Sequence, residues 1–183
     1  MGFIALLDAN ALHPIAVCDV LLRFAEAPTY RMLWSEEILL EAERSVARRF
    51  PGKEAAIGRR FLSMREAFPE AMVRGYGALS AAFPALGDDA HVLAAAVAGG
   101  ARIIVTSNTR HFPAAILEPL DITAQTPDEF LVNQWWLSAA DGHRIIDSIV
   151  EASANPPLTR AAMLDRLHSH LPEFVALARA TRP

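Results

Sequence analysis

Short apolar runs alternate with helix-periodic stretches along the first two thirds of the chain. Residues 3–7 form a continuous apolar run, as a parallel strand buried on both faces requires. Pro14 stands at a helix start, and Ile15, Val17, Val20, Leu21, Leu22 and Phe24 give that helix a broad apolar face. Residues 31–34 read as a second, shorter strand. Ser35 is placed to cap a helix over 36–49, with acids in its first turn favouring the helix dipole. Pro51-Gly52 breaks the chain before a helix over 53–68, whose apolar residues are Ile57, Phe61, Leu62 and Met64. A brief strand over 71–73 precedes a passage marked by Gly75, Gly77, Pro84 and Gly87. Asp88 or Asp89 caps a helix that runs to Ala98 and stops at Gly99-Gly100. Residues 103–105 are the next strand, Pro113 opens a short helix, and 122–124 are a last strand. This alternation predicts an α/β sandwich with a mostly parallel central sheet.

After Pro127 the strand signal ends. Residues 130–136, 139–152 and 158–180 read as helix, with Asn155-Pro156-Pro157 as a break. A boundary near 127–137 follows, dividing the chain into a unit over 1–130 and a helical C-terminal extension over 131–183. Adjacent Trp135 and Trp136 cannot share one helix face, and core packing is the expectation for both.

The composition narrows the class. The chain has 183 residues, 52% hydrophobic and 21% charged, enough for one ordinary packed domain. Its formal charge is −4, which argues against a general nucleic-acid coating protein but not against an enzyme with one local basic patch. Cys18 is the single cysteine, so no intrachain disulfide or multi-cysteine zinc site is open to it, and its apolar surroundings place it in the core. The N-terminal apolar stretch is too short for a signal segment or a membrane span. A soluble, cytoplasmic protein with no membrane partner is the expectation.

Candidate chemistry collects where strands end. In an open α/β sheet, ligands bind outside the carboxyl ends of the strands. Asp8 follows the first apolar run, and Thr106-Ser107-Asn108 follows the fourth strand. Asp8 and Asn108 each have a plainer reading as turn residues bonding their own backbone. Glu41 lies at the edge of the inner face of its helix, and its plainer reading is a solvated acid beside Arg44. The Asp88-Asp89 pair is more telling, because a helix needs only one cap. Asp89 precedes Val92 and Leu93 by three and four residues, on the core-facing side, and no basic residue nearby in the helix can pair with it. Three carboxylates and an amide supply hard oxygen donors suited to Mg²⁺ or Mn²⁺. Gathered without a cation, they would repel and raise one another's pKa.

Four segments carry a family resemblance: Leu6-Leu7-Asp8-Ala9-Asn10; Ser35 to Glu41; Asp88-Asp89-Ala90-His91-Val92-Leu93-Ala94-Ala95-Ala96; and Ile103 to Phe112. Their order and spacing over about residues 3–130 resemble PIN-domain nucleases. The resemblance implies a PIN-like, Rossmann-like α/β/α sandwich and a Mg²⁺- or Mn²⁺-dependent endoribonuclease. Many small bacterial members are VapC-type toxins of type II toxin–antitoxin pairs, so a cognate antitoxin and a homodimer are implied partners beside RNA. The helical tail resembles that of a longer VapC-like subgroup. By the same resemblance Asp8, Glu41 and Asp89 hold the metal and its water, and Asn10 and Thr106 orient the acids. Asp88 is a cap or an outer ligand. Asn108 falls where many members carry a fourth acid, which puts tight binding of a second ion in doubt. That departure keeps two alternatives open: an RNA- or protein-binding module with weak or no catalysis, and a housekeeping RNA-processing nuclease.

Other residues fit around this core. His91 points away from Asp89 on the helix wheel and reads as a surface or packing residue. Arg110 and His111 lie near the mouth of the site, within reach of RNA phosphate. Arg44, Arg48, Arg49, Lys53, Arg59, Arg60 and Arg65 concentrate positive charge on two consecutive helices, the best basic patch available for an RNA backbone.

Overall fold

The computed structural model describes residues 3–27, 29–153 and 157–181. Five strands, β1 (Ile4–Leu7), β2 (Arg31–Ser35), β3 (Met72–Val73), β4 (Ile103–Val105) and β5 (Thr123–Gln125), form one sheet in the order β3-β2-β1-β4-β5. Every pairing is parallel. The apolar, consecutive character of β1 follows from this: Ala5, Leu6 and Leu7 are fully buried, because helices cover both faces of a parallel sheet. From β1 the chain moves outward through β2 to β3, then returns to place β4 on the other side of β1. The topological switch point therefore lies between the carboxyl ends of β1 and β4, where ligands bind in sheets of this kind.

The helices of the sheet unit are α1 (Ala9–Leu12), α2 (Ile15–Glu26), α3 (Glu36–Arg49), α4 (Glu54–Ala67), α5 (Gly77–Ser80), α6 (Ala90–Gly99) and α7 (Ala114–Leu117). The Ser35 hydroxyl caps α3, accepting from the Ile38 amide at 3.2 Å, and Gly100 ends α6 at φ 69°, a left-handed position that favours glycine. The α/β sandwich predicted from the alternation is the fold observed. The four-residue α1 directly after β1 was not foreseen. Leu62, expected on the inner face of α4, is 52% exposed; Ile57, Phe61 and Met64 carry that contact instead. Cys18 is fully buried, and burial pushes its thiol up to about 11, in keeping with a core role.

The C-terminal helices are α8 (Pro127–Leu137), α9 (Ala139–Ala152), α10 (Arg160–Leu167) and α11 (Pro172–Ala180). A division at residue 130 runs through α8, which opens with a Thr126–Glu129 capping box. The apolar core runs without interruption from β1 into these helices. Phe130 packs edge-on against Tyr30 at 4.8 Å between ring centroids, and Phe174 against Phe24 at 6.0 Å. Each such fully buried aromatic contributes about 1.5–3 kcal/mol. Asp128 adds a polar tie: its carboxylate accepts from the Glu173 and Phe174 amides at 3.0 and 2.9 Å, capping α11 from another helix.

Three expectations for this region need correction or lie beyond view. Residues 158–180 are two helices, because Pro172 cannot continue the hydrogen-bond ladder of α10. Trp136 is 70% exposed, whereas Trp135 is buried, since one helix face cannot take both. The predicted break at Asn155-Pro156 falls outside the described residues. Trp135 is wedged between Phe174, His143 and Gly142. A Cβ at Gly142 would meet the Trp135 ring. Gly142→Ala is therefore expected to destabilise the protein by about 1–3 kcal/mol, despite the better helix propensity of alanine. Urea unfolding checks this, and an unchanged midpoint would refute the wedge.

Candidate active site

Asp8 sits at the switch point because β1 ends there. Its amide continues the ladder, donating to the Val105 carbonyl at 3.0 Å. Its side chain is almost completely buried and fully engaged. Oδ1 accepts from the Ala9 amide at 2.7 Å, and Oδ2 accepts from Asn10 Nδ2 at 3.1 Å and from the Thr106 hydroxyl at 2.7 Å. A buried carboxylate needs such partners. Thr106 in turn accepts from the Asn108 amide at 3.1 Å. Asn10, Thr106 and Asn108 thus form one network around Asp8, although Asn108 joins it through its backbone.

Glu41 lies on α3, its side chain 43% exposed. Its carboxyl is held above the ordinary range, first by burial, and further by the negative charges of Asp8, Glu37 and Asp89, with His91 opposing. The acids of three elements are therefore close enough to act on one another: Asp8 after β1, Glu37 and Glu41 on α3, and Asp89 at the start of α6. His91 Nε2 stands 3.3 Å from Glu41 Oε1, and its Nδ1 3.6 Å from Glu37 Oε2. That Nδ1 is buried without a hydrogen-bond partner among the described residues.

Two expectations change here. His91 does not stand apart from the site; it faces the two glutamates of α3. Asp89 does have a basic partner, supplied from a distant segment: His111, in the 3-10 turn Thr109–His111 after β4, lies with Nδ1 2.9 Å from Asp89 Oδ2. His111 is thus drawn toward an acid rather than left free for phosphate. Neither Asp88 nor Asp89 caps α6 with its side chain: Asp89 occupies the cap position without a cap bond, and Asp88 is exposed. Gly87, at φ 54° and ψ −123°, turns the chain just before them in a conformation that suits glycine.

Glu37, Glu41 and His91 each place one ligand atom within 4.8 Å of the others, a grouping among the described residues that could hold a metal ion. Glu37 and His91 were missed as site residues. The available signal was spacing: Glu37 and Glu41 are four apart on one helix and so share a face, as a pair holding an ion would. The carboxylates suit a hard divalent ion, and the imidazole widens the range to softer ones.

Two grooves meet at Glu41. One, about 370 Å³, is lined by Ala9, Asn10, Arg44, Ser45 and Arg48. The other, about 610 Å³, is bordered by Tyr76, Asp88, His91 and Glu37. Arg44 and Arg48 pair with no carboxylate among the described residues, whereas Arg60 is tied to Asp19 at 2.7 Å and Arg65 to Glu36 at 2.8 Å. The basic patch expected along α3 and α4 is thus divided, and two of its unpaired members, Arg44 and Arg48, lie beside Glu41. Arg110 is exposed near the end of β4.

Comparison with known proteins agrees with the fold and adds a family. Residues 5–110 match the PIN domain family, and the chain belongs to it. Residues 127–180 match the VapC50 C-terminal domain, in line with the resemblance of the tail. The chain is 42% identical over 109 residues to the Mycobacterium tuberculosis protein named "Putative ribonuclease VapC50", a match covering 60% of this chain and 64% of the relative. No solved structure matches the chain.

The raised Glu41 carboxyl has a consequence for stability. The folded state holds the Glu41 proton more tightly than the unfolded chain, so without metal this residue costs stability as pH rises through its titration range. In chelator, Glu41→Gln is expected to be more stable than wild type at neutral pH. The gap should close below the usual carboxylate range, where both forms are neutral. Thermal unfolding at several pH values checks this, and a Gln variant less stable at neutral pH would show that Glu41 is not under repulsion.

Proposed function

We propose that this protein is a metal-dependent endoribonuclease that hydrolyses RNA phosphodiester bonds, acting as the toxin of a type II toxin–antitoxin pair. What supports this reading is a PIN-family sheet with Asp8 buried at the end of β1, and Glu41 on α3, whose carboxyl is raised by burial and by the charges of Asp8, Glu37 and Asp89. The name of the similar protein, with its ribonuclease designation, supports it. RNA is then the substrate, a cognate antitoxin the protein partner and the cytoplasm the compartment, with self-association into a homodimer following the family pattern. Residues 1–130 carry the chemistry in this reading, and the helices after them support it. No helix among the described residues is long and apolar enough to cross a membrane.

Asp8, Glu41 and Asp89 would hold Mg²⁺ or Mn²⁺, and the crowding of acids around Glu41, with the unpartnered His91 Nδ1 beside it, fits a bound cation. When bound, the ion supplies Lewis-acid activation of water and offsets charge at the phosphodiester. The chain supplies the rest. Asn10 and Thr106 fix the Asp8 carboxylate. His111 orients Asp89. Glu41 is placed to hold the attacking water and take its proton. Arg44 and Arg48 grip backbone phosphate in the adjoining groove. Asn108 contributes an amide where an acid would add charge, which favours one ion over two.

RNA cleavage with Mg²⁺ or Mn²⁺ tests the reading. Asp8→Asn and Asp89→Asn should each remove most of the activity, and Thr106→Val, which releases Asp8, should lower it by about 10–100-fold. Equal cleavage by wild type and the two aspartate variants would end the proposal. RNA binding without turnover at any metal would favour the non-catalytic module that Asn108 suggests.

A further inference from the structure

A second basic pocket lies where the sheet unit meets the C-terminal helices. It has a volume of about 500 Å³ and is lined chiefly by His13, Arg49, Phe50, Arg166 and His170. Its walls come from three places: the turn before α2, the end of α3, and α10 with the turn that follows it. None of the four cationic groups is paired with a carboxylate among the described residues. All four line the same cavity, and His13 is held below the ordinary histidine value by burial, and then by the charges of His170, Arg49 and Arg48. Arginines at the ends of α3 and α10 suit the helix dipoles singly. That does not explain why both helix ends, and two histidines, border one cavity.

We propose that the C-terminal helices complete a binding site for single-stranded RNA, in which Arg49, Arg166, His13 and His170 hold backbone phosphate and Phe50 stacks a base. This extends the reading above, in which RNA is the substrate, and gives the helical extension a role in gripping it. Two observations favour RNA over an acidic protein segment. Phe50 is 46% exposed within the cationic pocket, and an aromatic face among cations is the arrangement that holds unpaired bases. Arg48, moreover, lines the groove beside Glu41 and also acts on His13. One positive track therefore runs along α3 from the acidic centre to this pocket, over about 12 Å from Glu41 to Arg49. A strand bound at both ends of that track would present its nucleotides on one side of the cleaved bond to the C-terminal helices.

Fluorescence anisotropy with a labelled twelve-nucleotide RNA, measured in chelator so that no strand is cut, tests the pocket directly. The exposed pair Arg166→Ala/His170→Ala should weaken binding by about tenfold or more and lower the salt dependence by about one to two phosphate contacts. Phe50→Ala should weaken binding with little change in that dependence. In cleavage assays the double variant should raise KM and leave kcat nearly unchanged. Unaltered RNA affinity in the double variant overturns the proposal, as does a loss confined to binding of poly-glutamate, which would mark the pocket as a protein site. The two readings fail separately. RNA cut normally with affinity untouched by the variants removes the pocket alone. RNA bound through the pocket but left uncut with every metal tried removes the nuclease reading alone.

Discussion

The hydrogen bond from Thr106 to Asp8 joins the carboxyl ends of the two central strands, and the site depends on it. β1 and β4 are ninety-eight residues apart in sequence at this point, yet their backbones pair and their terminal side chains close on one another. The contact is buried, so the Asp8 carboxylate has no competing water on that side and keeps one orientation. Asn10 and the α1 amide complete the hold. A carboxylate fixed this way is a constant against which the more mobile acids can be placed. Glu41 and Asp89 come from two helices, α3 packed on β2 and α6 packed across β1, β2 and β4, and no hydrogen bond joins the two acids.

That arrangement of acids is unfavourable by itself. Like charges gathered at the switch point raise the Glu41 carboxyl, and the fold supplies imidazoles to soften the repulsion. His91 stands between Glu37 and Glu41, and His111 meets Asp89. The protein thus keeps a strained electrostatic arrangement at one end of a largely apolar core. Such local conflict is expected where function, rather than stability, selects the residues.

Much of this was legible in the sequence, for physical reasons. Buried parallel strands demand continuous apolar runs, so residues 3–7 and 103–105 announced themselves, and Ser35 and Gly99-Gly100 marked helix ends because capping has strict chemistry. Asp8 and Asp89 could be picked out as candidates from their positions at element ends, and Glu41, inside α3, from a family likeness. What was not legible depended on contacts between distant segments. The wheel of α6 shows His91 turned from Asp89, but cannot show that α3 lies on that side. Asp89 lacked a basic neighbour within its helix, and His111 reaches it only after β4 has returned to the centre of the sheet. Pro172 was visible as a residue, yet the apolar periodicity on either side of it outweighed the break that its missing amide imposes. Trp136 was assigned to the core by hydrophobicity, which does not fix which side of a helix finds a partner.

The sheet has one further property in its outermost strands. β3 has two residues and β5 three, so each edge offers few unpaired amides and carbonyls to another chain. A parallel sheet with such short margins is a poor template for growth by strand addition. Any contact with another chain would accordingly fall to helix surfaces. The end of α8 is the apolar one on view, where Trp136 and Leu137 stand about two-thirds exposed on the helix that joins the sheet unit to its tail.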